Sequence, residues 1–131
     1  MEVKIMCEIR FYKCEHCGNI VGLIHNAGVP MMCCGQKMTE LVPNTEEASV
    51  EKHLPVVAVD GDKVNVKIGS APHPMGDEHH IVWVYLQTDR GGQRKCLEVG
   101  AEPEVNFALC DEKPVAVFAY CNLHGLWKTE I

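Results

Sequence analysis

Eight cysteines within 131 residues constrain this chain more than any other feature. In a reducing compartment thiols stay free, so clustered cysteines point to metal ligation rather than to disulfides. Residues 1–7 show no basic stretch followed by a long apolar core, so no signal peptide is expected and the location is expected to be cytoplasmic. Four of the cysteines lie in two clusters. Cys14-Glu15-His16-Cys17-Gly18 is a C-x-x-C knuckle whose thiolates can converge on one ion, with Gly18 freeing the backbone for the turn. Cys33-Cys34-Gly35 is an adjacent pair. Neighbours in an extended strand point to opposite faces, so both sulfurs reach one ion only where the backbone bends, and Gly35 permits that bend. A tetrathiolate site follows, for which zinc and iron are both admissible by softness and geometry.

The rest of the composition narrows the class. With 47% hydrophobic and 23% charged residues the chain is globular rather than disordered. No apolar run approaches the roughly 18 residues of a membrane span. A net charge of -6 is wrong for a nucleic-acid partner, which demands a basic face. Neither membrane nor nucleic acid is therefore expected.

Three blocks organise the chain: residues 1–42, of which 1–7 are an extension, a polar linker at 43–52, and a strand-rich domain at 53–131. The first block has few large apolar side chains and needs a metal staple, a partner chain, or both. In the third, residues 63–68 alternate, with Val64, Val66 and Ile68 on one face. Strands are also predicted over 55–59, 81–88, 94–99, 104–110 and 115–120, with Asp60-Gly61-Asp62 and Asp89-Arg90-Gly91-Gly92 as turns. No segment keeps a helical period. The predicted architecture is all-β, an antiparallel sandwich or barrel.

Histidines mark the second block of chemistry. His53, His73, His79, His80 and His124 fall at strand ends or in loops, and Cys121-Asn122-Leu123-His124 is a C-x-x-H pair beside Gly125. His73 sits between two prolines that restrict its loop. Together they predict a mixed imidazole–thiolate site. His16 and His25 read as solvated loop residues.

Taken in order, Cys14-x-His16-Cys17-Gly18-Asn19, Cys33-Cys34-Gly35, Glu51-Lys52-His53, His73-Pro74-Met75, His79 and Tyr120-Cys121-Asn122-Leu123-His124-Gly125 resemble desulfoferrodoxin, the two-iron class of superoxide reductase. The resemblance runs from about Ile9 onward. It implies a desulforedoxin-like domain followed by a neelaredoxin-like domain, an immunoglobulin-like β-sandwich. It also implies two iron ions: one held by Cys14, Cys17, Cys33 and Cys34, the other by His53, His73, His79 and His124 with Cys121 as axial thiolate and an open sixth position. Glu51 and Lys52 match the mobile pair above that position. The implied activity is one-electron reduction of superoxide to hydrogen peroxide, with rubredoxin or a similar small protein as electron donor and a homodimer as the assembly. A carrier that only shuttles electrons, and a structural zinc protein, are the alternatives. The N–H groups of Leu123 and His124 are the expected donors to the Cys121 sulfur.

Two departures from the family pattern stand out. His80 occupies a place usually aromatic, and residues 1–7 have no counterpart. Strand parity places His79 with Ile81, Trp83 and Tyr85. Cys7, Cys96 and Cys110 match no ligand and read as buried or adventitious thiols.

Overall fold

The computed structural model describes residues 8–131, so Cys7 and the extension at 1–7 lie outside the described residues. Alternation in the sequence becomes a sheet face: in β7 (Lys63–Ile68) Val64, Val66 and Ile68 are buried between exposed or half-buried neighbours. It pairs antiparallel with β6 (Pro55–Asp60) and with β10 (Glu104–Ala108), giving the order β10-β7-β6. A second sheet faces it, built from β8 (Ile81–Thr88), β9 (Gly91–Cys96), β11 (Pro114–Cys121) and β12 (Gly125–Glu130) in the order β12-β11-β8-β9. Val64, Val66, Ile68 and Phe107 from the first sheet meet Val84, Leu86, Val117 and Ala119 from the second. This is an all-β sandwich, as predicted.

The strand predicted at 94–99 starts earlier, at Gly91, because only Asp89 and Arg90 form the turn. Gly92 is strand rather than turn: a Cβ there would collide with the Tyr85 ring, which lies across it. β12 is a strand that the sequence pattern does not announce. Its six residues directly follow the C-x-x-H turn and lack alternation, since Leu126 and Trp127 are both buried.

Parity in β8 is also corrected. β11 pairs Tyr120 with Trp83 but Cys121 with Ile81, so Val82 is an extra residue in a β-bulge. Ile81 therefore faces the inter-sheet core with Val84 and Leu86, while Trp83 and Tyr85 lie on the outer face. Without the bulge, the residues preceding Ile81 would be aimed away from the end of β11.

The first block forms β1 (Arg10–Lys13), β2 (Ile20–Leu23) and β5 (Thr39–Glu40) in one sheet, with β3 (Met32–Cys33) and β4 (Gln36–Lys37) as a small hairpin. It gains its core by leaning on the sandwich. Phe11, only 6% exposed, packs against Trp83 at 4.8 Å, Tyr85 at 5.5 Å and Phe118 at 5.6 Å between ring centroids. Burying that side chain contributes about 2 kcal/mol. The outer face of the chain's own second sheet thus supplies apolar contact that was expected from a metal staple or a partner chain.

The predicted linker is not free. Asn44, at φ +62°, donates to the Lys128 carbonyl at 3.1 Å and accepts the Lys128 N–H at 2.9 Å, and so straps the segment to the β12 edge. It then forms one helical turn, α1 (Val50–His53), too short to leave a helical period in the sequence. Among the described residues no helix is long and apolar enough to cross a membrane.

Candidate metal centres

The structure brings Cys14, Cys17, Cys33 and Cys34 together, with all four sulfurs within 4.8 Å of one another. The bend expected at the adjacent pair is present, with Cys34 at φ +51° and Gly35 at φ +73°. The Cys17 N–H points at the Cys14 sulfur at 3.5 Å, and the Asn19 amide donates to the Cys33 sulfur at 3.8 Å. These contacts make the thiols unequal. The N–H of Cys17, with that of His16, lowers Cys14 to about 6 against the opposing effect of burial. The neighbouring Cys17 sulfur, followed by burial, pushes Cys34 up to about 12, and Cys33 is raised as well. One thiolate forms readily and then opposes the others, so full ionisation of the cluster calls for a cation at its centre. Four soft sulfurs in that arrangement suit iron or zinc. His16 and His25 are exposed and belong to neither centre.

Where β8 begins and β11 ends, four imidazoles form a ring. His73 lies 4.6 Å from both His53 and His79 between ring centroids, His79 is 5.0 Å from His124, and His124 is 4.9 Å from His53. Each adjacent pair is close to perpendicular, at 76° to 88°. Ligand atoms of His53, His79, Cys121 and His124 fall within 4.8 Å of one another. α1 carries His53, the loop after β7 carries His73, the residues before β8 carry His79, and the tight turn between β11 and β12 carries Cys121 and His124. Cys121 is fully buried on the core face of β11, while His79 and His124 are half-exposed, so sulfur enters from the interior and the far side faces solvent.

Ring orientation is fixed by carbonyl groups: Nδ1 of His53 binds the Ser49 oxygen at 2.7 Å, and Nδ1 of His73 binds that of Pro74 at 2.7 Å. Both Nε2 atoms are thereby turned inward. Nε2 of His73 and of His79 are buried without a hydrogen-bond partner. Each such orphan costs about 1–3 kcal/mol, which a metal accepting its lone pair removes. The residues fit a metal. Burial also lowers His53, His79 and His73, the last to about 4, and so keeps them neutral and ready to ligate. The Cys121 thiol is raised by burial, opposed by the N–H groups of Leu123 and His124, the donors expected from the sequence.

A pH dependence follows. An unfolded histidine titrates near 6.5, whereas His73 in the folded chain titrates near 4, with His53 and His79 shifted the same way. Between these values the unfolded chain binds more protons. The stabilisation is complete above pH about 6.5 and is lost as pH falls towards 4. The urea midpoint of metal-free protein should therefore drop across that interval; a flat midpoint would show that the imidazoles are not buried in neutral form.

Glu51 and Lys52 are exposed on α1, next to His53. The Lys52 charge is near enough to disfavour protonation of both His53 and His79. The Glu51 carbonyl accepts the Ala71 N–H at 3.1 Å and the Ser70 hydroxyl at 3.2 Å, which ties α1 to the His73 loop. His80 is a brace rather than a member of the ring: its Nδ1 contacts the Gly76 oxygen at 3.0 Å and its N–H donates to the Asn122 side chain at 2.9 Å. Cys96 and Cys110 are exposed, which removes the buried reading. Sequence reasoning missed Ser49 and Trp127, since neither belongs to a ligand motif. Trp127 stacks on His53 at 4.9 Å and donates its Nε1–H to the His124 carbonyl at 3.0 Å.

A β-sandwich with an imidazole–thiolate ring at one end and a separate tetrathiolate knuckle defines a two-centre, non-haem metal protein. Residues 45–130 match the family profile described as desulfoferrodoxin, and residues 7–41 match that of the desulfoferrodoxin N-terminal domain. The desulfoferrodoxin of Syntrophotalea carbinolica is 43% identical over 123 residues, covering 94% of this chain and 97% of that one. The crystal structure of the superoxide reductase from Treponema pallidum shares the fold at a TM-score of 0.79 and 40% identity, covering 94% and 99% of the two chains. The superoxide reductase (1Fe-SOR) from Giardia intestinalis matches 62% of this chain and 97% of its own, with a TM-score of 0.55 and 29% identity. The chain belongs to the desulfoferrodoxin family. Its two clusters are iron centres, Fe(Cys)4 and Fe(His)4(Cys).

Proposed function

We propose that this chain reduces superoxide to hydrogen peroxide at the centre where His53, His73, His79, His124 and Cys121 would hold iron. The single observation that carries this reading is the ring of four imidazoles with one buried sulfur entering from the core side. Cys14, Cys17, Cys33 and Cys34 hold the second iron.

The bound ferrous iron supplies the one electron that, with two protons, converts superoxide to hydrogen peroxide. The protein sets the conditions. Four neutral imidazoles and one thiolate leave the ferrous site near a charge of +1, which suits a small anion. The Cys121 thiolate would give electron density to the bound iron, a lever also used by haem thiolates. The N–H groups of Leu123 and His124 moderate that donation. Lys52 draws the anion locally although the whole chain is acidic, because distant charges are screened. Half-exposed His79 and His124 leave the reacting side open to water, the source of protons. Glu51, exposed on α1 beside His53, would offer its carboxylate to the site after product release.

Rubredoxin or a similar small redox protein returns the electron, and the setting is cytoplasmic. A homodimer is supported by the apolar surface of the first block, where Ile24 is 91% exposed, Val29 74% and Met32 62%. Residues 1–42, 43–52 and 53–131 serve as tetrathiolate domain, linker and catalytic domain.

Stopped-flow mixing of superoxide with reduced, iron-counted protein tests the reading. Fast oxidation of the imidazole–thiolate centre is expected; reduced protein carrying two irons that is not oxidised by superoxide would overturn it. Lys52→Ala should slow the bimolecular step several-fold at low salt and flatten its dependence on ionic strength. An unchanged low-salt rate would remove Lys52 from the attraction.

A further inference from the structure

We propose that Trp127 is a positioning residue of the catalytic centre, fixing His53 and the turn that carries His124, and thereby setting the reduction potential and the iron retention of that centre. The inference rests on the assignment of those two imidazoles to iron.

Trp127 lies in β12, is 2% exposed, and pairs across to Ala119, whose small side chain leaves room for the indole. It touches two ring members that are 71 residues apart in sequence. Towards His53 it presents its face, at 4.9 Å between centroids and 27° between planes. Towards His124 it presents its N–H, bonded to the main-chain carbonyl at 3.0 Å. His53 is otherwise constrained at Nδ1 by the Ser49 oxygen and edge-on by His73 and His124. The indole covers a remaining face, so the imidazole plane has no alternative setting and Nε2 stays aimed at the centre. The N–H bond does the same for the turn: it holds the His124 peptide, and with it the N–H groups directed at the Cys121 sulfur.

Two consequences are distinct. An imidazole bound to ferric iron is poorer in electrons than one bound to ferrous iron, and the electron-rich indole face favours the more cationic ring. The stack therefore stabilises the ferric state and lowers the reduction potential. The hydrogen bond restricts the turn and slows ligand departure. Groups that orient metal ligands in this way typically change affinity about 10–100-fold when removed.

The test compares Trp127→Leu, which removes both contacts, with Trp127→Phe, which keeps a stacking ring and loses the N–H. In Trp127→Leu the midpoint potential of the catalytic iron should rise, and iron loss to the ferrous chelator bipyridyl should be about tenfold faster. Trp127→Phe should return most of the midpoint while still releasing iron faster than wild type. The tetrathiolate absorption spectrum serves as the control for folding. A wild-type release rate in folded Trp127→Phe carrying two irons would overturn the hydrogen-bond role of Trp127 whether or not Trp127→Leu folds, and a wild-type midpoint in Trp127→Leu would overturn the stacking role. Retention of the catalytic iron by His53→Ala would instead overturn the ligand assignment beneath it.

Discussion

Cys121→Ser should lower the second-order rate of superoxide reduction by about 10²-fold or more, roughly 3 kcal/mol of transition-state stabilisation. A hydroxyl does not ionise in this setting, so the only anionic ligand of the ring is lost. The electron density that the thiolate would give the iron is lost with it. Cys121 is fully buried and its N–H donors come from Leu123 and His124, so serine meets the same backbone without supplying a thiolate. The four imidazoles remain, so iron binding should weaken rather than vanish, and the thiolate-to-iron absorption should disappear from the oxidised protein. Measurement is by stopped-flow on iron-counted, reduced variant. Turnover near that of wild type would defeat the role of the Cys121 thiolate.

Much of the site was legible because ligation restricts residue type and spacing together. A knuckle such as Cys14-x-x-Cys17 and a turn such as Cys121-x-x-His124 carry their chemistry locally. β7 was legible for a similar reason, since Val64, Val66 and Ile68 repeat with the period of a strand. What escaped depends on contacts between distant segments. The bulge at Val82 lies in an unbroken apolar run, where no residue type announces an extra position. Yet it turns Ile81 and Cys121 to the same face. α1 is one turn inside a polar stretch, held by Asn44 on β12 and by carbonyl contacts to residues 70 and 71. Phe11 reads as one apolar residue in a weak core until the outer face of the second sheet is placed against it. Trp127 reads as ordinary strand, and only its position beside His53 gives it a part in the centre.

Gly69→Ala should remove the catalytic iron while leaving the tetrathiolate iron in place. Gly69 follows β7 at φ +86°, where a side chain is already strained. A Cβ there would strike the Ala71 carbonyl oxygen and lie 2.7 Å from that of Lys52. Both obstacles are backbone, so no rotamer change relieves them. One precedes His53 directly, and the other belongs to the loop of His73. Gly69 also donates its N–H to the Leu54 carbonyl at 3.0 Å, so this is where α1 and the His73 loop cross. Separating them moves two of the four imidazoles. The cost should be about 4 kcal/mol or more, in the range reserved for strain at a special backbone position. Gly100→Ala is the matched comparison: φ is +87°, but a Cβ added there would meet nothing within 4 Å. That variant should lose only about 1–2 kcal/mol and keep both irons. Metal analysis with the tetrathiolate spectrum decides between them. Two irons in Gly69→Ala would mean that the crossing of α1 and the His73 loop does not position the catalytic ligands.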